Sequence, residues 1–75
     1  MNKPESNMGK VFHVEFYSNA GGLWIKCSPQ YQTFSDCLDD MRRHALEDPD
    51  TVHRAMHSVT GRTLALSAHG EELIK

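Results

Sequence analysis

Five histidines and two cysteines in a chain of 75 residues raise metal binding first. His53 and His57 stand four apart, which on a helix puts both imidazoles on one face, as some zinc sites require. On a strand the same rings lie roughly 13 Å apart along the backbone and cannot share an ion. Cys27 and Cys37 lack the spacing of a zinc knuckle, and both fall at inward positions of their elements. We therefore expect two core thiols, no metal and no cofactor. Nucleophilic catalysis needs a serine or cysteine beside a histidine and an orienting carboxylate. All these residue types are present, but no nucleophile elbow or comparable context marks a nucleophile. Gly21-Gly22 lies between two strand patterns and not ahead of a helix, so it is not placed to cradle phosphate. The expectation is a protein that is not an enzyme.

Two other constellations point to recognition. Acidic residues crowd at Asp36, Asp39, Asp40, Glu47, Asp48 and Asp50. Asp36, Asp39 and Asp40 are read as lining one side of a helix, an acidic patch for a basic partner surface. The alternative is a solvated helix face, and Arg42, Arg43, Arg54 and Arg62 weaken the patch by local neutralisation. Tyr17 and Trp24 form the second constellation. A hairpin register that places them opposite one another makes a cross-strand aromatic pair, and both residue types are enriched at binding hot spots.

The elements that position these residues follow from periodicity. Phe12, Val14 and Phe16 alternate with His13, Glu15 and Tyr17, the pattern of a half-buried strand. Residues 18–22 are a turn cluster and 23–27 a second strand. A two-residue loop at Ala20-Gly21 pairs Tyr17 with Trp24, Phe16 with Ile25, Glu15 with Lys26 and Val14 with Cys27. Each pair matches in character, and a one-residue slip would spoil both faces. Thr33 reads as a helix N-cap with Asp36 at the third helical position. Phe34, Cys37, Leu38, Met41 and Ala45 then make one apolar stripe, which Asp48-Pro49-Asp50 ends. Residues 51–58 fit either a strand or a helix. Val59-Thr60-Gly61, read as a three-residue hairpin loop with Gly61 left-handed, favours the strand, followed by a fourth strand over 63–68.

The order is β-β-α-β-β, an α+β two-layer sandwich with a four-stranded antiparallel sheet and one helix on one face. Residues 1–9 are expected to be a flexible tail, 10–68 the single domain and 69–75 a C-terminal tail. The inner layer is expected to hold Phe12, Val14, Phe16, Ile25, Cys27, Met56, Leu64 and Leu66. The uncovered face then presents Val11, His13, Tyr17, Trp24 and Lys26.

The composition suits one small folded domain. An apolar fraction of 39% and a charged fraction of 24% are ordinary for a globular chain. A formal net charge of −2 argues against a surface that wraps nucleic acid. The first ten residues are polar and lack the apolar core of a secretory signal, so the expected compartment is the cytoplasm. Such a small core leaves little room for a deep pocket. The expected function is a non-catalytic protein-interaction module, an inhibitor or regulator. It would act on a larger protein or on a second copy through the uncovered sheet face, without membrane contact. Size, acidity and lack of catalytic motifs also fit a phage or mobile-element inhibitor of the anti-CRISPR kind. The alternative is a nucleic-acid-binding module using the sheet aromatics and the arginines. The candidate contact residues are Tyr17, Trp24, His13, Lys26, Asp36, Asp39 and Asp40.

Overall fold

The computed structural model describes residues 9–75. The tail expected over residues 1–9 therefore lies, except for Gly9, outside the described residues. The elements are β1 (Phe12–Ser18), β2 (Leu23–Lys26), α1 (Phe34–Glu47), β3 (His53–His57), β4 (Thr63–Ala68) and β5 (Glu71–Ile74). They build an antiparallel sheet in the order β2-β1-β3-β4-β5. α1 packs over β1, β3 and β4.

The first hairpin has the expected register, with Glu15, Phe16 and Tyr17 opposite Lys26, Ile25 and Trp24. Its loop is longer than the two residues expected. Ser18 pairs with Leu23, and Gly22, at φ 66°, donates its amide to the Ser18 carbonyl at 2.7 Å. Beyond β2 the chain crosses the start of β1, where Phe12 and Tyr31 exchange both backbone hydrogen bonds.

α1 begins where Thr33 accepts from the Asp36 amide at 3.1 Å. It closes with the Asp48 amide donating to the His44 carbonyl at 2.9 Å, just before Pro49. Cys37, Leu38 and Met41 are buried against Val14, Ala55 and Ala65, and Phe12, Cys27, Tyr31 and Phe34 pack around them. One row of residues runs beneath the helix, Val14 beside Ala55, Ala55 beside Ala65, and Ala65 beside Ile74.

That row corrects the expected core. Met56, Leu64 and Leu66 do not face the helix, because Ala55 and Ala65 occupy the inward phase of β3 and β4. Alternation separates two faces without saying which one a helix will cover. Here two alanines, both fully buried, lie under Cys37 and Met41, and short side chains let the helix approach closely enough to fill the layer. The register of β3 against β4 then shifts, so that Met56 faces Thr63 and Leu64 is the extra residue. His57 and Arg62 close the connection, and Gly61 is left-handed at φ 75°, as expected, in a loop one residue longer than anticipated.

Among the described residues the sheet has five strands and not four. Ala68 pairs with Glu71 across His69-Gly70, whose φ values of 53° and 81° make a type I′ turn. The segment over 69–75, expected to be a tail, thus supplies β5. The strand reading of residues 51–58 holds for His53–His57.

Candidate interaction face

The side of the sheet away from α1 carries its own ordered row. Lys26 stands beside Glu15, Glu15 beside Arg54, Arg54 beside Leu66, and Leu66 beside Leu73. The face is therefore charged toward β2 and aliphatic toward β5. Glu15, on the strand between them, has a cation on each neighbouring strand.

Arg54 organises the charged half. Its Nε and Nη2 donate to Glu15 Oε1 at 3.0 and 2.7 Å, and its Nη1 donates to Thr63 Oγ1 at 3.3 Å. The guanidinium carbon Cζ lies over the Trp24 ring, 4.0 Å from its centroid, a cation–π contact. Tyr17 meets Trp24 edge-on, with centroids 5.3 Å apart and planes at 70°. Both aromatics are half-buried, and Trp24 lies between Tyr17 and Arg54.

A polar chain continues from Glu15 toward the other end of β1. His13 Nε2 donates to Glu15 Oε2 at 2.8 Å, and Ser58 Oγ lies 2.5 Å from His13 Nδ1. Gln30 Nε2 donates to Ser58 Oγ at 2.6 Å. Ser58 Oγ thus bridges Gln30 and the His13 ring. Burial raises the Glu15 pKa. Hydrogen bonds from His13 and Arg54, with the Arg54 charge, outweigh that and leave it below its ordinary value.

Serine, histidine and glutamate in sequence have the composition of a nucleophile–base–carboxylate relay. Here, however, His13 is only 8% exposed and Ser58 is clamped by Gln30, with its own amide bonded to the Val11 carbonyl. Two grooves among the described residues lie along β5, and neither is lined by this serine. These hydrogen bonds link β1, the β2–α1 connection and the end of β3.

His13, Tyr17, Trp24 and Lys26 thus share one face, as expected of their alternation. The three helix acids do not. Asp36 and Asp39 are exposed, and Asp39 lies 3.8 Å from Arg42. Asp40 is 7% exposed, bonded to Arg43 and 3.6 Å from His44 Nε2. It stands one turn after Cys37 and one turn before His44, on the flank of the buried stripe. Burial, together with the neighbouring Asp40, pushes the Tyr31 hydroxyl up to about 12.

The metal candidates are separated as the strand reading requires. His53 stacks on His44 at 5.8 Å, while His57 meets the edge of Phe12 at 5.5 Å. Among the described residues no group of three or more His, Cys, Asp or Glu is placed to hold a metal ion. Both cysteines are free thiols, and burial raises both, Cys37 to about 11. No helix among the described residues is long and apolar enough to cross a membrane.

Alternation placed Glu15 on this face, but sequence reasoning missed its pairing with Arg54 and the link through His13 and Ser58 to Gln30. Both depend on the adjacency of β1 and β3, separated in the chain by β2 and α1, and no local spacing signals it. Compared with family models, curated proteins and solved structures, the chain matches none of them.

Proposed function

We propose that this chain is a non-catalytic protein-interaction module, an inhibitor or regulator, that docks on a larger protein through the Trp24 end of its open sheet face. One observation carries the reading. Trp24 is held by Tyr17 and Arg54 in a fixed orientation on a face that α1 does not cover, with exposed Lys26 beside it. Aromatic and arginine side chains whose rotamers are already ordered lose less entropy on binding than free ones.

The competing reading is that the aromatics stack single-stranded bases. That chemistry needs cations available to phosphates. Arg42, Arg43 and Arg54 are each engaged by carboxylates, which favours a protein surface over a nucleic acid.

Trp24→Ala and Lys26→Glu test the reading against the unaltered chain, with circular dichroism as the check of fold. A protein partner isolated with the native chain should bind both variants at least about tenfold more weakly. Equal binding by both removes the face from the account. Salt-dependent affinity for an oligonucleotide that disappears in Trp24→Ala would replace the proposal with the competing one.

A further inference from the structure

The opposite end of the sheet carries an independent feature. β5 is an edge strand exposed along its length, and its free side has a definite hydrogen-bonding phase. The Lys75 amide donates to the Leu64 carbonyl at 2.9 Å, so Glu71, Leu73 and Lys75 turn their backbone groups toward β4. Glu72 and Ile74 turn theirs outward, where none of the described strands pairs with them.

We propose that two copies of this chain associate through β5, antiparallel and about a two-fold axis at Leu73, to join their sheets into one. Backbone phase and side-chain chemistry select this register together. An outward residue must face an outward residue, so Glu72 can lie opposite the second copy's Glu72 or Ile74, or Ile74 opposite its own equivalent. The first arrangement sets two glutamates directly against each other. The last centres the joint on the final residue of β5, so that only Ile74 pairs with a residue of the second copy's β5. The middle one uses the whole strand. Glu72 and the second copy's Ile74 exchange both backbone bonds, Leu73 meets its equivalent, and Glu71 stands opposite the second copy's Lys75. Each end of the joint then gains an ion pair.

The surfaces beside β5 suit the same occupant. On the helix side a groove of about 440 Å³ runs between Arg42, Ala45, Leu46, Gly70 and Glu72. Ile74, 51% exposed, points to that side, and in this register the second copy's Ile74 lies against Glu72 at the groove's rim. Glu72 is already neutralised there. Arg42 donates to both its oxygens at 2.7 Å and holds its pKa below the ordinary value. On the open side, a hollow of about 310 Å³ lies beside Leu66, Ala68 and Leu73. Leu73 is 58% exposed, and two copies of it would cover one another there. Because the contact is isologous it closes on itself and leaves no free β5 edge.

Sedimentation across a concentration series tests the proposal on the native chain. A reversible monomer–dimer equilibrium is expected, and a chain that stays monomeric up to ~1 mM overturns it. Ile74→Pro removes an outward amide while leaving every β4–β5 bond intact, and it should weaken the dimer at least about tenfold. A dimer that survives this change in a folded protein overturns the β5 joint. Lys75→Glu should weaken association and the double exchange Glu71→Lys/Lys75→Glu should restore it. Failure of the exchange to restore a dimer that Lys75→Glu weakened overturns the register. Trp24→Ala should leave the dimer unchanged, which separates this joint from the docking face proposed above.

Discussion

Arg54 holds Glu15 through two guanidinium nitrogens while its Cζ rests 4.0 Å from the centroid of Trp24. One side chain thus satisfies a carboxylate and fixes an indole on the same surface. The two roles use different parts of the group. The N–H donors go to the carboxylate, and the guanidinium charge lies over the ring.

Removing Arg54 should therefore be costly in two ways. Arg54→Leu leaves Glu15 partly buried without its cation and leaves the Trp24 ring uncapped. Both members of the pair retain some exposure, so solvent screening limits the loss, and about 1–3 kcal/mol is expected. Urea denaturation followed by Trp fluorescence measures it, and the folded-state emission should shift to the red. A loss under about 0.5 kcal/mol would assign the network no structural role.

Acid should weaken the same network. The folded-state pKa of Glu15 lies below its usual 4.5, so the unfolded chain takes up this proton first as pH falls. The stabilisation is present in full above about 4.5 and declines as pH drops through the folded-state value. Glu15→Gln should flatten the acid limb of the stability–pH curve, as read by the denaturation midpoint at several pH values.

His53 adds a second, milder limb. Burial, then the nearby His44, keeps its pKa below the usual 6.5. Its ring is 3% exposed, and Nδ1 has no hydrogen-bond partner. The unfolded chain again binds more protons, so stability should fall as pH drops below about 6.5. Asp40 and Asp48 lie on the helix side of this cluster, and Asp48 partly opposes the shift. His53→Phe should remove the decline between pH 6.5 and the acid limb of Glu15. An unchanged curve would place the histidine-linked loss elsewhere.

The thiols give a kinetic test of the core. Cys37 is fully buried with its pKa raised to about 11, so it presents almost no thiolate at neutral pH. Cys27 is half-buried and its thiol lies 3.6 Å from the Val14 carbonyl. Native protein treated with a disulfide reagent should lose Cys27 first. Cys37 should react only at the rate of structural opening, and denaturant should equalise the two. Equal native rates would contradict the packing of α1 on β1.

How much of this was legible beforehand follows from where the information sits. The first hairpin was legible because both faces carry matched partners, and a slip would oppose Phe16 to Lys26. Thr33, the apolar stripe and Pro49 marked α1 for equally local reasons. The inward phase of β3 and β4 was not legible. Met56, Leu64 and Leu66 are the large apolar residues there, yet Ala55 and Ala65 go under the helix because the layer is already filled by Cys37 and Met41. Asp40 was misplaced for a related reason: it belongs to the flank of the stripe and is tolerated only because Arg43 and His44 lie within reach. β5 was missed because Glu71-Glu72-Leu73-Ile74 does not alternate, and because its turn begins with histidine, where asparagine is the usual signal.

That turn makes the last prediction. His69 adopts φ 53°, a conformation that costs an ordinary side chain roughly 1 kcal/mol. Asparagine tolerates it better and is the preferred first residue of a type I′ hairpin before glycine. The His69 amide donates to the Pro49 carbonyl at 3.2 Å, a bond that asparagine retains. His69→Asn should therefore stabilise the protein by about 0.5 kcal/mol, raising Tm by a few degrees in a thermal melt. His69→Val, β-branched and unsuited to positive φ, should lower it by more than that gain. A stabilising valine would mean that β5 is not joined to β4 by this turn, and the edge that self-association requires would not exist.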